Sequence, residues 1–281
     1  MIPLFYINLA SQSERRLWFE DQCKTLGLTA IRIEATNGRA LAPDKLEAIQ
    51  SKRVMDVHFG PAEIGCFLSH CDAWRRLLAS GQDWGFIAED DIHLASDSLA
   101  FFQSTKWIPV DAQLIKGEST FKKCHLGKQK HPVSETRHLR RLLSLHGGGG
   151  GYFLHRTAAQ RLLDMVEKVA EPADLLVFDP RLGFFSDVIA YQISPAIGAQ
   201  DLFFEAPING FVKSTLEQER QSLRKRPSGS KLWREIKRPF AQLGRALQTF
   251  YHKHLFHSTY EAVPYASSEA ETPKILRKRF R

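Results

Sequence analysis

Three consecutive carboxylates, Glu89, Asp90 and Asp91, stand at the end of the apolar run Trp84-Gly85-Phe86-Ile87-Ala88. Like charges packed this closely repel one another and raise their pKa values unless a cation compensates them. The cluster therefore fits a hard divalent metal bound through oxygen, with a solvated acidic turn as the plainer reading. If strand geometry continues through the acids, Glu89 and Asp91 project to one side and Asp90 to the other. A second candidate is INLASQSERR (7–16), a strand end leading into a helix that carries Arg15 and Arg16. Guanidinium forks and helix N-terminal amides suit phosphate, although two arginines on a first turn also read as a solvated face.

The stretch PAEIGCFLSHCDAWRRLL (61–78) holds Glu63, Gly65, Ser69 and His70 among helically spaced apolar residues. A glycine inside a helix costs about 1 kcal/mol against alanine, which is reasonable where another backbone or a ligand must come close. Glu63 and His70 share one face, where His70 reads either as a ligand contact or as a core histidine satisfied by a hydrogen bond. Five glycines, Gly147–Gly151, lack both the Lys-Ser/Thr of a P-loop and a dinucleotide fingerprint, and read as a flexible hinge. No GxSxG elbow or HExxH pattern occurs, which argues against the common hydrolase and zincin classes.

These residues sit on alternating elements. PLFYINL (3–9) and TAIRIEA (29–35) read as strands, the segment between them as a helix ending at Gly27, and 61–81 as an amphipathic helix started by Pro61 and stopped by Gly81. A further helix follows the glycines over 156–170, and the pattern as a whole predicts an α/β domain. The 281 residues allow one large domain with an appendage, and 43% hydrophobic with 25% charged residues is ordinary globular composition. No run of apolar residues reaches membrane-spanning length, and the N-terminus lacks the features of a secretory signal, so a cytoplasmic protein is expected. Cys23, Cys66, Cys71 and Cys124 form no CxxC pair and read as reduced thiols rather than a disulfide framework or structural zinc site.

The net charge of +8 is unevenly placed: residues 213–281 hold 16 Lys and Arg against 6 Asp and Glu, and the remainder is slightly acidic. Within that tail, residues 231–256 carry an apolar stripe between basic residues, which suits an anionic membrane surface or a partner. The absence of a recognisable nucleic-acid module and the acidic body argue against nucleic acid. Residues 122–146, rich in Lys, Arg and His, read as a mobile basic loop. The expected division is a catalytic domain over 1–212 and a basic tail over 213–281.

The ordered set INLASQSERR, EATNG, GPAEIGCFLSHCDAWRRLL, FIAEDDI and GGYFLHRTAAQRLL resembles glycosyltransferase family 25, over about residues 1–205. The resemblance implies a GT-A-like nucleotide-sugar-binding α/β domain and an inverting, metal-dependent transferase using a UDP-sugar and Mn²⁺ or Mg²⁺. It implies Asp91 as the principal metal ligand, Glu89 as a second contact to metal or ribose, and Asp90 as the third member of the acidic motif. Asn8, Arg15, Ala35, Asn37 and Gly38 are expected to line the nucleotide, with Asn37 where many members have Asp. Gly65, Ser69 and His70 match the helix beside the donor. Asp174 is the candidate base, or else a helix N-cap, with Asp187 behind it; Gln200 matches a late element without an assigned role. The expected reaction moves a hexose, galactose before glucose, from the UDP-sugar to a lipooligosaccharide or related glycan or glycolipid acceptor at the cytoplasmic membrane face. The second reading is a catalytically silent nucleotide-sugar or glycolipid-binding scaffold.

Overall fold

The structure, a computed structural model, describes residues 1–204 and 257–265. In chain order its main elements are β1 (Leu4–Asn8), α1 (Ser13–Thr25), β2 (Ala30–Glu34), α2 (Pro43–Gln50), α3 (Pro61–Ala79), β3 (Trp84–Glu89) and β4 (Ile92–Leu94). There follow α4 (Ala100–Gln103), β5 (Leu114–Lys116), β6 (Lys123–Gly127), β7 (His131–Pro132), β8 (His138–Arg141), β9 (Gly151–His155), α5 (Arg156–Val166) and α6 (Ala173–Phe178). The last are α7 (Phe184–Asp187), β10 (Ala190–Ser194), β11 (Gly198–Gln200) and β12 (Ser258–Ala262).

Eight strands form one mixed sheet in the order β2-β1-β3-β9-β5-β10-β8-β7. β1 is parallel to both β2 and β3, and β5 to β10, while β9 runs antiparallel between β3 and β5. Every residue of β1 is buried because helices cover both faces, which is why this strand reads as a continuous apolar run. Alternation sends Phe5, Ile87 and Tyr152 to the face packed by α3 and α5, through Phe67, Trp74 and Leu162. Leu4, Tyr6, Phe86 and Phe153 face the opposite layer, with Phe19 and Phe102. The carboxyl ends of β1, β2, β3 and β5 therefore meet at one edge of the sheet, where open α/β sheets receive ligands.

Several sequence expectations need correction. The apolar run 84–88 continues as β3 through Glu89, and Asp90 and Asp91 form a turn before β4, so strand geometry does not continue through the three acids. Residues 122–146 are no mobile loop; they supply β6, β7 and β8. Arg137 is buried and donates to Asp97 from Nε at 2.7 Å, and Arg140 pairs with Glu261. Long-range acids and carbonyls absorb these cations, a compensation that local composition cannot reveal. The glycine run is no loose hinge either: Gly148 donates to Asp174 Oδ2 at 3.1 Å and Gly150 to Glu118 Oε2 at 2.9 Å.

The expected boundary at 213 also changes. β12 pairs antiparallel with β6, Ser119 Oγ donates to the Val263 carbonyl at 2.6 Å, and Val263 is buried, so residues 258–265 pack as part of the α/β body. The amphipathic stretch 231–256 lies outside the described residues. Among the described residues no helix is long and apolar enough to cross a membrane.

Two expectations for stability follow. Val263→Asp places a carboxylate in an apolar site and lowers the unfolding free energy by more than about 3 kcal/mol, measured by urea denaturation. A detachable tail predicts no change. His146 is buried, accepts from the Thr120 amide at 3.4 Å and pairs with Gln192 Oε1 at 2.9 Å. Burial, aided by the Lys116 ammonium, pushes its pKa down to about 3 from 6.5. The unfolded chain thus binds a proton below pH 6.5 that the native state refuses, and stability present above that pH is lost as pH falls towards 3. At pH 5 this one group accounts for a loss of about 2 kcal/mol relative to pH 7.5, and His146→Gln flattens the profile by that amount.

Candidate functional site

β1 ends at Asn8, β2 runs out into Ala35-Thr36-Asn37-Gly38, and β3 ends at Glu89. Together with the first turn of α1 and the start of α3 they enclose a cleft of about 330 Å³. Its wall contains Arg15, Ala35, Asn37, Gly38, Ser69, Glu89, Asp90 and Asp91, eight of the residues singled out from sequence, and adds Gln12, Thr36, Arg39 and Cys66.

Two glycines set the shape of this cleft. A Cβ on Gly38 would lie 1.7 Å from the Pro61 carbonyl oxygen, and one on Gly65 would lie 2.5 Å from that of Thr36. Each glycine therefore permits backbone to touch backbone between the 36–38 turn and α3. Ser69 completes the join: its Oγ accepts from the Thr36 amide at 2.9 Å and donates to the Gly65 carbonyl at 2.6 Å. Gly65 and Ser69 thus position the turn. Glu63, by contrast, caps its own helix by accepting from the Gly60 amide at 3.1 Å.

Glu89 and Asp91 converge on Gln200, as alternation predicts, but Asp91 is also tied to Asp90. Asp90 and Asp91 share Arg15, whose Nη2 contacts Asp90 Oδ1 and lies 3.0 Å from Asp91 Oδ2. Asn8 is buried behind the cleft, and its Nδ2 donates to Asp90 Oδ2 at 2.6 Å. Glu89 faces Gln200, whose Nε2 donates to Glu89 Oε2 at 2.9 Å and reaches Asp91 Oδ1 at 3.4 Å. Burial pushes the Asp90 carboxyl up to about 7, with repulsion from Asp91 and Glu89 adding to it and Arg15 and Asn8 opposing it. Asp91 is raised by burial too, and by Glu89 and Asp201 against the pull of Arg15. Such upward shifts mark an anionic site short of compensating charge.

Behind Glu89 lies a chain of buried polar groups. Trp74 Nε1 donates to the Tyr152 hydroxyl at 2.9 Å, and that hydroxyl meets His70 Nδ1 at 2.9 Å. The hydroxyl oxygen accepts from the indole N–H and also meets Nδ1, which leaves Nε2 facing Glu89 Oε1 at 3.5 Å. His70 is therefore a buried partner of Glu89 rather than part of the cleft wall. Gly149 passes so close that a Cβ there would lie 3.3 Å from Glu89 Oε1 and 3.4 Å from His70 Nε2.

Sequence reading overlooked the support beneath this glycine strap. Lys116 and Glu118 are fully buried; Lys116 Nζ lies 3.3 Å from Glu118 Oε2, donates to the Gly148 carbonyl and sits 4.0 Å from the centre of the Phe178 ring. Burial raises the Glu118 carboxyl to about 7 despite Lys116 and the Gly150 amide. One charged residue in a short apolar strand and one just beyond it were the available signal.

Asp174 lies on the first turn of α6, half-buried, and holds the strap through Gly148. Asp187 is exposed at the end of α7 and just precedes β10; because β10 runs parallel to β5, this is the edge of the sheet opposite the cleft. The expectation that Asp187 could serve as base is corrected by this topology.

The profile of glycosyltransferase family 25 (LPS biosynthesis protein) matches residues 1–177. A lacto-N-neotetraose biosynthesis glycosyltransferase, LgtE, of Neisseria gonorrhoeae is 28% identical over 258 residues, covering 85% of this chain and 89% of that protein. The lipooligosaccharide biosynthesis protein lex-1 of Haemophilus influenzae is 28% identical over 187 residues, 63% of this chain and 60% of its own length. Among solved structures, a glycosyltransferase involved in glycosylation of the major capsid of PBCV-1 aligns at 7% identity with a TM-score of 0.41, over 80% of this chain and 99% of that one. With its acidic strand end, helix motif and cleft contained in the matched region, the chain belongs to glycosyltransferase family 25 and is a glycosyltransferase built on a mixed α/β fold with a large central sheet.

Proposed function

We propose that the cleft binds a UDP-sugar with a hard divalent cation and transfers its hexose, with inversion, to a lipooligosaccharide or related glycan acceptor. Galactose is the favoured hexose and glucose the alternative. The observation that carries this reading is the convergence of Glu89 Oε2 and Asp91 Oδ1, two acids of the cleft wall, on a single donor, the Gln200 amide. Two carboxylate oxygens aimed at one point, in a site with raised carboxyl pKa values, fit Mn²⁺ or Mg²⁺ through oxygen ligands. When bound, that ion supplies charge stabilisation to the departing diphosphate.

The protein groups then have distinct tasks. Arg15 Nε is buried with no partner among the described residues, which leaves a donor at the cleft wall for a diphosphate oxygen. The turn 35–38, fixed by Ser69 and by close contact with Gly65, receives the nucleoside. Asp174 removes the proton from the acceptor hydroxyl; that oxygen bonds to the anomeric carbon as the bond to UDP breaks, and the proton remains on the carboxylate. Support for Asp174 is its half-buried carboxylate on the glycine strap, two residues from the Gly150 carbonyl that accepts from the Glu89 amide. Residues 213–256, basic and striped with apolar side chains, meet the anionic cytoplasmic membrane face where a glycolipid acceptor resides.

UDP release across a panel of UDP-sugars, with Mn²⁺ or EDTA, tests the reading. Release with one sugar, dependent on metal, is expected, and Asp91→Asn lowers it at least about 100-fold. Asp174→Asn lowers transfer to the acceptor by about 100-fold or more while UDP affinity persists, and Asp187→Asn stays within about two-fold of the parent. UDP binding without turnover on any sugar or glycan acceptor would instead select the silent scaffold.

A further inference from the structure

Cys66 and His70 are four residues apart on α3, so their side chains leave one face of the helix, and that face meets Glu89 at the end of β3. The Cys66 thiol sulfur, a His70 ring nitrogen and a Glu89 carboxylate oxygen all lie within 4.8 Å of one another. Ligand atoms around a tetrahedral Zn²⁺, at about 2.0–2.1 Å for nitrogen and oxygen and about 2.3 Å for sulfur, are separated by roughly 3.3–3.6 Å. His70 Nε2 and Glu89 Oε1 at 3.5 Å already have that spacing. The sulfur needs a shift of roughly 1 Å, within reach of a small side-chain rotation.

Two further features suit a metal. The Tyr152 hydroxyl, itself fixed by Trp74, holds His70 Nδ1 and keeps Nε2 turned towards Glu89. Metal-binding histidines characteristically donate their second ring N–H to such a partner, and the Tyr152 oxygen has room to accept from Nδ1–H as well as from the indole. Cys66 and Glu89 also line the cleft, which gives an ion its entry path and leaves room for a fourth ligand. The remaining thiols offer little competition: Cys23, Cys71 and Cys124 are buried, and burial pushes each of them up to about 12.

We propose that Cys66, His70 and Glu89 form a binding site for a thiophilic divalent cation of the Zn²⁺ class, with water or a cleft ligand as the fourth donor. The donor set is chemically distinct from the all-oxygen pair Glu89 and Asp91, yet both use Glu89. Binding joins the metal to the Cys66 sulfur, His70 Nε2 and Glu89, with the imidazole hydrogen on Nδ1 facing the Tyr152 oxygen; it releases the Cys66 thiol proton to solvent and draws Glu89 towards α3 and away from Gln200. Zn²⁺ therefore opposes the hard cation and inhibits transfer; this consequence rests on the transferase reading, whereas the binding itself does not.

Co²⁺ titrated into the full-length reduced protein provides a direct readout through thiolate-to-cobalt charge-transfer absorption. One equivalent is expected to generate the band and Zn²⁺ to abolish it. Cys66→Ser and Cys66→Ala, each checked for an unchanged melting temperature, lose the band and bind Zn²⁺ at least tenfold more weakly. Cys71→Ser retains it, and His70→Gln weakens it. All four cysteines lie within the α/β body, so the histidines of residues 205–256 cannot produce this signal. Absence of the band at saturating Co²⁺, or its undiminished persistence in either folded Cys66 variant, would overturn the site whether or not the protein transfers sugar. A band confined to Cys66 without inhibition by Zn²⁺ would keep the site and remove its effect on transfer.

Discussion

Burying carboxylates at the carboxyl end of a central strand costs free energy that neighbouring cations and N–H donors must offset. Asp90 and Asp91 make that demand here, and much of the surrounding architecture answers it. Arg15 comes from the first turn of α1, Asn8 from the end of β1 and Gln200 from β11, so three separate segments converge on one acidic turn. Even with these donors, burial and mutual repulsion leave Asp90 well above the ordinary carboxylate range. An incompletely compensated anionic site is an unfavourable feature for a fold alone and a favourable one for a cation-assisted diphosphate site.

The turn that faces those acids is held by direct backbone contact. Gly38 against Pro61 and Gly65 against Thr36 leave no room for a Cβ, and the Ser69 hydroxyl ties the same two segments together. The helix glycine thus fills a steric need at a junction between α3 and β2. It brings the helix onto the cleft wall, where Cys66 is exposed to the cavity and His70 is directed at Glu89 from behind.

A second supporting layer comes from the glycine strap. Glu118, Lys116 and Asp174 hold its backbone by hydrogen bonds, and Gly149 passes within contact distance of Glu89 and His70. Small residues let this segment thread between neighbouring side chains, since a Cβ on Gly148, Gly150 or Gly151 would lie within 3.0 Å of Thr120, Gln200 or Ile92. The buried Lys116–Glu118 pair is better understood as a device that fixes this path than as a source of net stability, because desolvation offsets most of the attraction within such a pair.

Local chemistry in the sequence determined a good deal about this protein. The period of apolar residues marked β1, β2, α1, α3 and α5, because strand and helix burial patterns are properties of short segments. Glu89-Asp90-Asp91 announced an electrostatically costly site, and Gly65 announced a close approach. Local reading failed where partners lie far apart in the chain. The bend at Asp90, the charge balance of residues 122–146, the bridging by Gln200 and the docking of 258–265 on β6 all depend on contacts between distant segments. Asp187 illustrates the limit: its residue type suits a base, but strand direction carries it to the opposite edge of the sheet. Sequence thus decided which chemical groups the protein possesses and which short segments become strands and helices. Tertiary structure decided which of those groups face one another, because long-range strand pairing and close packing set their separation.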